Sequence, residues 1–209
     1  MNCCYFDVSP LRDGPLFEKG LRELIWDDRA EKINTLRQDK DKRLCLGAGL
    51  LAADMLRQAG AADLRLGVSE QGKPYLKGCP GIHFSISHDG EIAVCAVAEV
   101  PVGIDIQQKT HFEPAAARIA FCDAERCYAG SFPDRDAAYT RLWARKESYV
   151  KLLGTGFIND PDKYNAVPGG DAEQGVHFSE HRIGEYFISI CCAESFTADM
   201  REWKFEGKD

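Results

Sequence analysis

Trp143, Glu147 and Lys151 recur at i, i+4 and i+8. A helix with about 3.6 residues per turn sets them in one stripe. Asp105 lies between Ile104 and Ile106, with Gln107 two residues on. Strand alternation puts the acid and the amide on one face and the isoleucines on the other. An aspartate flanked by apolar residues is costly unless it is paired or bound to a cation. A strand aspartate, a second oxygen on the same face and a helical glutamate could together hold one hard cation. Magnesium suits such a set, because it takes few carboxylates and completes its shell with water and phosphate oxygens. Arg43, Lys73, His88 and Lys151 could hold phosphate groups as charged donors. Together these residues point to transfer or cleavage at a phosphate ester or anhydride. Simpler structural roles compete with each assignment. Glu147 and Lys151 could be a helix-stabilising pair worth roughly 0.2–0.5 kcal/mol, Lys73 a surface lysine in a turn, and Asp105 the partner of a nearby Lys or Arg.

The elements that must position these groups follow from periodicity. Residues 135–156 read as a strong helix with Tyr139, Leu142, Tyr149, Val150 and Leu153 on its apolar face and the stripe along the edge. Lys146 falls within that face and needs a buried partner or a pocket. Residues 82–90 alternate as a half-buried strand that presents Ser87 and His88 at its end. A hairpin at Asp89–Gly90 then leads into an apolar run buried on both faces. Residues 102–107 form a further strand, expected to be central. Residues 2–8 read as a first strand, 17–26 as a helix, and 27–58 as helical, with Arg43 opening its apolar part. Cys122 to Glu125 looks like a helix start. Short strands are expected at 164–167, 175–179 and 186–193, with an edge strand near Trp203 in the segment 198–209.

Bulk properties narrow the class. A chain of 209 residues with 44% apolar composition can build a sizeable core. A net charge of -7 excludes a general nucleic-acid binder. No apolar run approaches the roughly 20 residues of a membrane helix, and the N-terminus has no basic region followed by an apolar stretch. A cytoplasmic, soluble protein, monomeric by default, is expected. The nine cysteines contain no Cys-x-x-Cys and are read as reduced thiols. His177 and His181 have metal-site spacing but lack such a partner motif, so a structural role is preferred.

Four pieces stand in an order that resembles the 4′-phosphopantetheinyl transferases of the surfactin-synthetase-activating type. They are Gly72-Lys-Pro74, Phe84-Ser-Ile-Ser-His-Asp-Gly90, Val102-Gly-Ile-Asp-Ile106, and Trp143-Ala-Arg-Lys-Glu-Ser148 followed by Lys151 and Gly154-x-Gly156. The resemblance spans most of the chain. It implies an α+β fold of two similar halves, 1–102 and 103–209, each a long helix on a small antiparallel sheet, related by a pseudo-two-fold. It implies transfer of the phosphopantetheine arm of coenzyme A to a serine of an apo acyl or peptidyl carrier protein, with release of adenosine 3′,5′-bisphosphate.

The roles it implies are specific. Asp105, Gln107 and Glu147 would be ligands of Mg²⁺, or Mn²⁺, and Lys151 would hold the pyrophosphate. Arg43, Ser87 and His88 would hold the nucleotide at its 3′-phosphate, with Lys73 against the nucleotide. Glu147 would take the serine proton, and Trp143 would be a packing anchor. Arg29 and Lys32 lie where relatives use lysines on the 3′-phosphate but stay outside the set. Many relatives carry glutamate at the position of Gln107, which implies a weaker metal site here. The carrier would dock on residues 109–128, with Phe112 and Phe121 as contacts or as core. The competing reading is a catalytically weak or inactive module that binds coenzyme A or a carrier.

Overall fold

The computed structural model describes residues 1–156, 161–170 and 175–206. In chain order the elements are β1 (Asn2–Asp7), α1 (Gly14–Glu23), α2 (Asp27–Thr35), α3 (Asp39–Gln58), β2 (Leu66–Val68), β3 (Pro74–Leu76), β4 (His83–Asp89) and β5 (Ile92–Ala98). The second half continues with β6 (Val102–Gln108), α4 (Pro114–Ala120), α5 (Asp123–Gly130), α6 (Arg135–Leu153), β7 (His177–Ile183), β8 (Tyr186–Cys192) and β9 (Met200–Glu202). The fold is α+β. One sheet has the order β4-β5-β1-β9, a second the order β6-β8-β7, and β2 and β3 form a separate hairpin.

The apolar run in β5 is buried along nearly its whole length because both faces of its sheet are covered. On one side Phe6, Ala93, Cys95 and Val97 pack with Leu46, Leu50, Leu51 and Leu56 of α3. On the other, Cys3, Ile92, Val94 and Ala96 pack with Val102, Ile104, Ile106, Ile188 and Ile190 of the second sheet. That second cluster joins the two larger sheets, and burial of this aliphatic surface is its main source of stability. The opposite face of β6 lies against α6. Gly103 permits that approach, since a Cβ there would stand 1.9 Å from the Ser148 carbonyl oxygen.

The strand carrying Asp105 differs from expectation. Among the described residues β6 is the outer strand of its sheet, paired with β8 alone. Its free edge is nonetheless covered, because β4 of the first half lies beside it and satisfies its backbone with side chains. Ile104 N–H donates to Ser85 Oγ at 3.1 Å, and Gln108 N–H donates to Asp89 Oδ2 at 2.6 Å. Asp105 is therefore buried, as a central position would be, at 2% exposure.

Other differences have local causes. The first helix starts and ends three residues early relative to 17–26. Trp26 lies past its end, buried, with Nε1 donating to Leu64 O at 2.7 Å. Residues 164–167 form no strand. Ala166 N–H donates to Glu125 Oε1 at 2.9 Å and its carbonyl accepts from Arg145 Nε at 2.7 Å, so side chains of α5 and α6 satisfy the backbone there. The strand expected at 175–179 begins at His177 and runs on to Ile183. β9 near Trp203 pairs in parallel with β1, which returns the end of the chain to the first sheet. Residues 207–209 of that expected segment lie outside those described. All nine cysteines are free thiols, five of them buried. Among the described residues no helix is long and apolar enough to cross a membrane.

Candidate active site between the two halves

Helix α6 supplies the stripe. Asp134 caps its start by accepting from Ala137 N–H, and Gly154 ends it with a left-handed φ of 70°. Leu142 and Val150 of the expected apolar face are buried, whereas Leu153 is exposed and Leu152 takes the inward place. Trp143 packs edge-on against Phe121, with ring centroids 6.1 Å apart. Lys146 is fully buried in an ion pair with Glu125 at 2.7 Å, and it donates to Pro161 O at 2.6 Å. Its partner lies on α5, whose first turn Glu125 also closes by accepting from Cys122 N–H.

Glu147 and Lys151 face the joint, where β4 and β6 bring Ser87 and Asp105. Lys151 Nζ donates to Asp105 Oδ1 at 2.5 Å and to Ser87 Oγ at 2.7 Å. Ser87 Oγ donates to the same Asp105 oxygen at 2.7 Å. The second carboxylate oxygen accepts from Gln107 Nε2 at 2.8 Å. Glu147 makes no hydrogen bond or ion pair among the described residues. Burial first, and then the negative field of Asp105, hold its carboxyl above the ordinary value, against the pull of Lys151.

Two neighbouring carboxylates with one lysine between them are short of positive charge, so Asp105 and Glu147 fit a divalent cation. Gln107 presents its nitrogen to Asp105, and its amide would have to turn for the oxygen to act as a ligand. Among the described residues no group of three or more His, Cys, Asp or Glu side chains forms a metal cluster. Two acids and an amide are thus the available set.

Two cavities open from this centre and share Ile86 and Lys151. One, of about 290 Å³, is lined by Gly72, Lys73 and Pro74 on the first half and Glu147, Val150 and Gly154 on the second. The other, of about 450 Å³, is lined by Arg29, Lys32, Cys45, Ser87 and His88. His88 is exposed, and its pKa lies below the ordinary 6.5 through desolvation and the positive fields of Lys151, Arg29 and Lys32. Because the ring is exposed, the cation field is the more important cause. Such a pocket attracts an anion.

Arg29 and Lys32 were left out of the sequence-based set, and they join His88 because α2 packs on α3. Arg29 Nη1 donates to Cys45 O at 3.1 Å, and its stem lies over Gly49, where a Cβ would come within 2.6 Å of Arg29 Cδ. The signal was their spacing on a helix ahead of an apolar one. Arg43 takes a different place. It pairs with Glu91 at 3.2 Å and lines a third cavity with Arg12, Phe17 and Lys42. Its buried Nε has no hydrogen-bond partner. Lys73 borders the first cavity, but its ammonium donates to three backbone carbonyls, so no proton is left over for a nucleotide. Phe121 is completely buried, packed edge-on or tilted among Phe112, Tyr139 and Trp143, and so is core and no docking contact.

Comparison with known proteins places the chain in a family. A 4′-phosphopantetheinyl transferase of Bacillus subtilis is 30% identical over 215 residues, covering 96% of this chain and 95% of its own. The chain belongs to the 4′-phosphopantetheinyl transferase superfamily. The superfamily profile matches residues 101–204, the part that carries Asp105, Glu147 and Lys151. A second superfamily member, the 4′-phosphopantetheinyl transferase gsp of Aneurinibacillus migulanus, is 37% identical over 135 residues, 60% of this chain and 56% of its own. The mouse L-aminoadipate-semialdehyde dehydrogenase-phosphopantetheinyl transferase is 34% identical over 207 residues, 87% of this chain and 62% of its own.

Proposed function

We propose that this protein moves the phosphopantetheine arm of coenzyme A to a serine of an apo acyl or peptidyl carrier protein and releases adenosine 3′,5′-bisphosphate. The observation that carries the reading is the Asp105–Lys151–Ser87 hydrogen-bonded set with Glu147 beside it, at the meeting of a basic cavity and a more apolar one. The basic cavity suits the 3′-phosphate, held by Arg29, Lys32 and His88. The cavity along the hairpin suits the pantetheine arm.

Asp105 and Glu147 would hold Mg²⁺, with Gln107 completing the set through its oxygen. A bound cation would supply neutralisation of pyrophosphate charge as the nucleotide leaves. Lys151 would pass part of its hydrogen bonding from Asp105 to the pyrophosphate. Glu147, whose burial and whose neighbour Asp105 raise its carboxyl above the ordinary value, would accept the proton of the carrier serine. The carrier would dock on residues 109–128. There Ile119 is 70% exposed, and a groove beside it is lined by His111, Phe112, Arg118 and Tyr139. Cytoplasmic, monomeric action is the working expectation.

The test is incubation with coenzyme A, Mg²⁺ and a panel of apo carrier proteins, followed by intact mass measurement. A phosphopantetheine gained on the carrier serine supports the reading. Tight binding of coenzyme A without transfer to any carrier of the panel overturns it.

A further inference from the structure

The β2–β3 hairpin of the first half reaches across the joint at its tip. Ser69 and Lys73 close the tip reciprocally: Ser69 N–H donates to Lys73 O at 2.9 Å, and Lys73 N–H donates to Ser69 Oγ at 3.0 Å. From this firm turn the half-buried Lys73 side chain runs into the second half. Its Nζ donates to Lys151 O at 2.6 Å, Leu152 O at 3.1 Å and Val102 O at 3.3 Å. An ammonium has three protons, so the set is complete. Two of the acceptors belong to the last turn of α6, whose carbonyls have lost their helical partners and whose dipole favours a cation. The third opens β6. The lysine stem lies on Gly154, where a Cβ would stand 2.8 Å from Lys73 Cδ.

Lys73 thus grips the backbone of the same residue, Lys151, whose side chain reaches Asp105 and Ser87. Gly72, Lys73 and Pro74 also form the cavity wall that faces Glu147 and Lys151. We propose that Lys73 is a positioning residue that latches the hairpin onto the end of α6 before any ligand arrives, setting both the cleft wall and the Lys151 ammonium. This rests on the reading of the cleft as the coenzyme A site. It differs from a direct contact between Lys73 and the nucleotide, because a latch acts in the ligand-free protein.

Hydrogen exchange on the ligand-free full chain separates the two. Loss of a charge-assisted bond in Lys73→Met should speed amide exchange about tenfold in residues 66–76 and 150–154, with the rest of the chain unchanged. The KM for coenzyme A should rise about tenfold, kcat should fall less than about threefold, and the KM for the carrier should stay constant. Gly154→Ala keeps the ammonium but displaces its stem; because alanine also strains the left-handed helix end, its readout is residues 66–76, which should exchange faster even if Lys73→Met folds poorly. Unchanged exchange alongside a raised KM would mean direct ligand contact and would overturn the latch. Faster exchange throughout the chain would overturn it too, as a general loss of stability. Should the wild-type protein transfer nothing, the exchange measurement still decides the latch on its own.

Discussion

Asp105 of β6 and Lys151 of α6 lie 2.5 Å apart, and Ser87 from the other half binds both. Lys151 holds in place a carboxylate that would otherwise be buried and unpaired. Substituting either acid removes one of the two carboxylates proposed to hold the cation. Asp105→Asn keeps the shape and can still accept from Ser87, and Glu147→Ala removes the proposed proton acceptor. Each should lower the transfer rate about 10²-fold or more, while heat-induced unfolding stays cooperative. Intact carrier mass over time measures it.

Arg29 and Lys32 bear on the anion pocket, and Arg43 does not line it. Arg29→Ala or Lys32→Ala should raise the KM for coenzyme A about tenfold each, and leave that for dephospho-coenzyme A nearly unchanged. Arg43→Ala should discriminate little between the two substrates. If instead it alone distinguishes them, the pocket is misassigned.

His88 gives a pH dependence with a definite sign. Its pKa in the free protein is below 6.5, so a phosphate bound beside it raises the value and binding takes up a proton. Coenzyme A affinity should therefore fall as pH rises through the bound-state pKa, and His88→Gln should flatten the profile. In folding the sign reverses. The neutral ring is favoured in the native state, so its share of stability is present above pH 6.5 and is lost as pH falls through the folded pKa. Calorimetry in buffers of different ionisation enthalpy reads the proton uptake.

Gln107 donates to Asp105 as it stands. Gln107→Glu removes that donor and adds a third carboxylate, so the variant should need less Mg²⁺ for half-maximal rate and be less stable without it. An unchanged Mg²⁺ titration would remove Gln107 from the ligand set.

Lys146 and Glu125 are both fully buried. Lys146→Met strands the glutamate charge and should cost about 3–5 kcal/mol in urea unfolding. Adding Glu125→Gln removes the charge but keeps an acceptor for only one of the Cys122 and Ala166 N–H groups, and should recover part of that loss. A double variant less stable than the single would show that the lost acceptor outweighs the stranded charge.

Local spacing was enough to identify Asp105 on an alternating strand, Glu147 and Lys151 on one helical stripe, and Ser87 and His88 at a strand end. These readings rest on periods of two and 3.6 residues, which act over a single element and are written into neighbouring positions. It also raised the question of Lys146 without answering it. The partners are matters of packing. Lys151 meets residues 46 and 64 positions away, Lys73 meets the end of α6 78 positions away, and Lys146 finds Glu125 on another helix. Which buried cation neutralises which acid depends on how the two sheets share their aliphatic face and how far Gly103 lets α6 approach. No local pattern encodes that. The sequence by itself therefore determined which groups could do phosphate chemistry and which elements carry them. Only the tertiary structure decided that Lys73 grips a helix end, that Arg43 pairs with Glu91, and that Arg29 and Lys32 line one cavity with His88, because each outcome depends on distances between segments far apart in the chain.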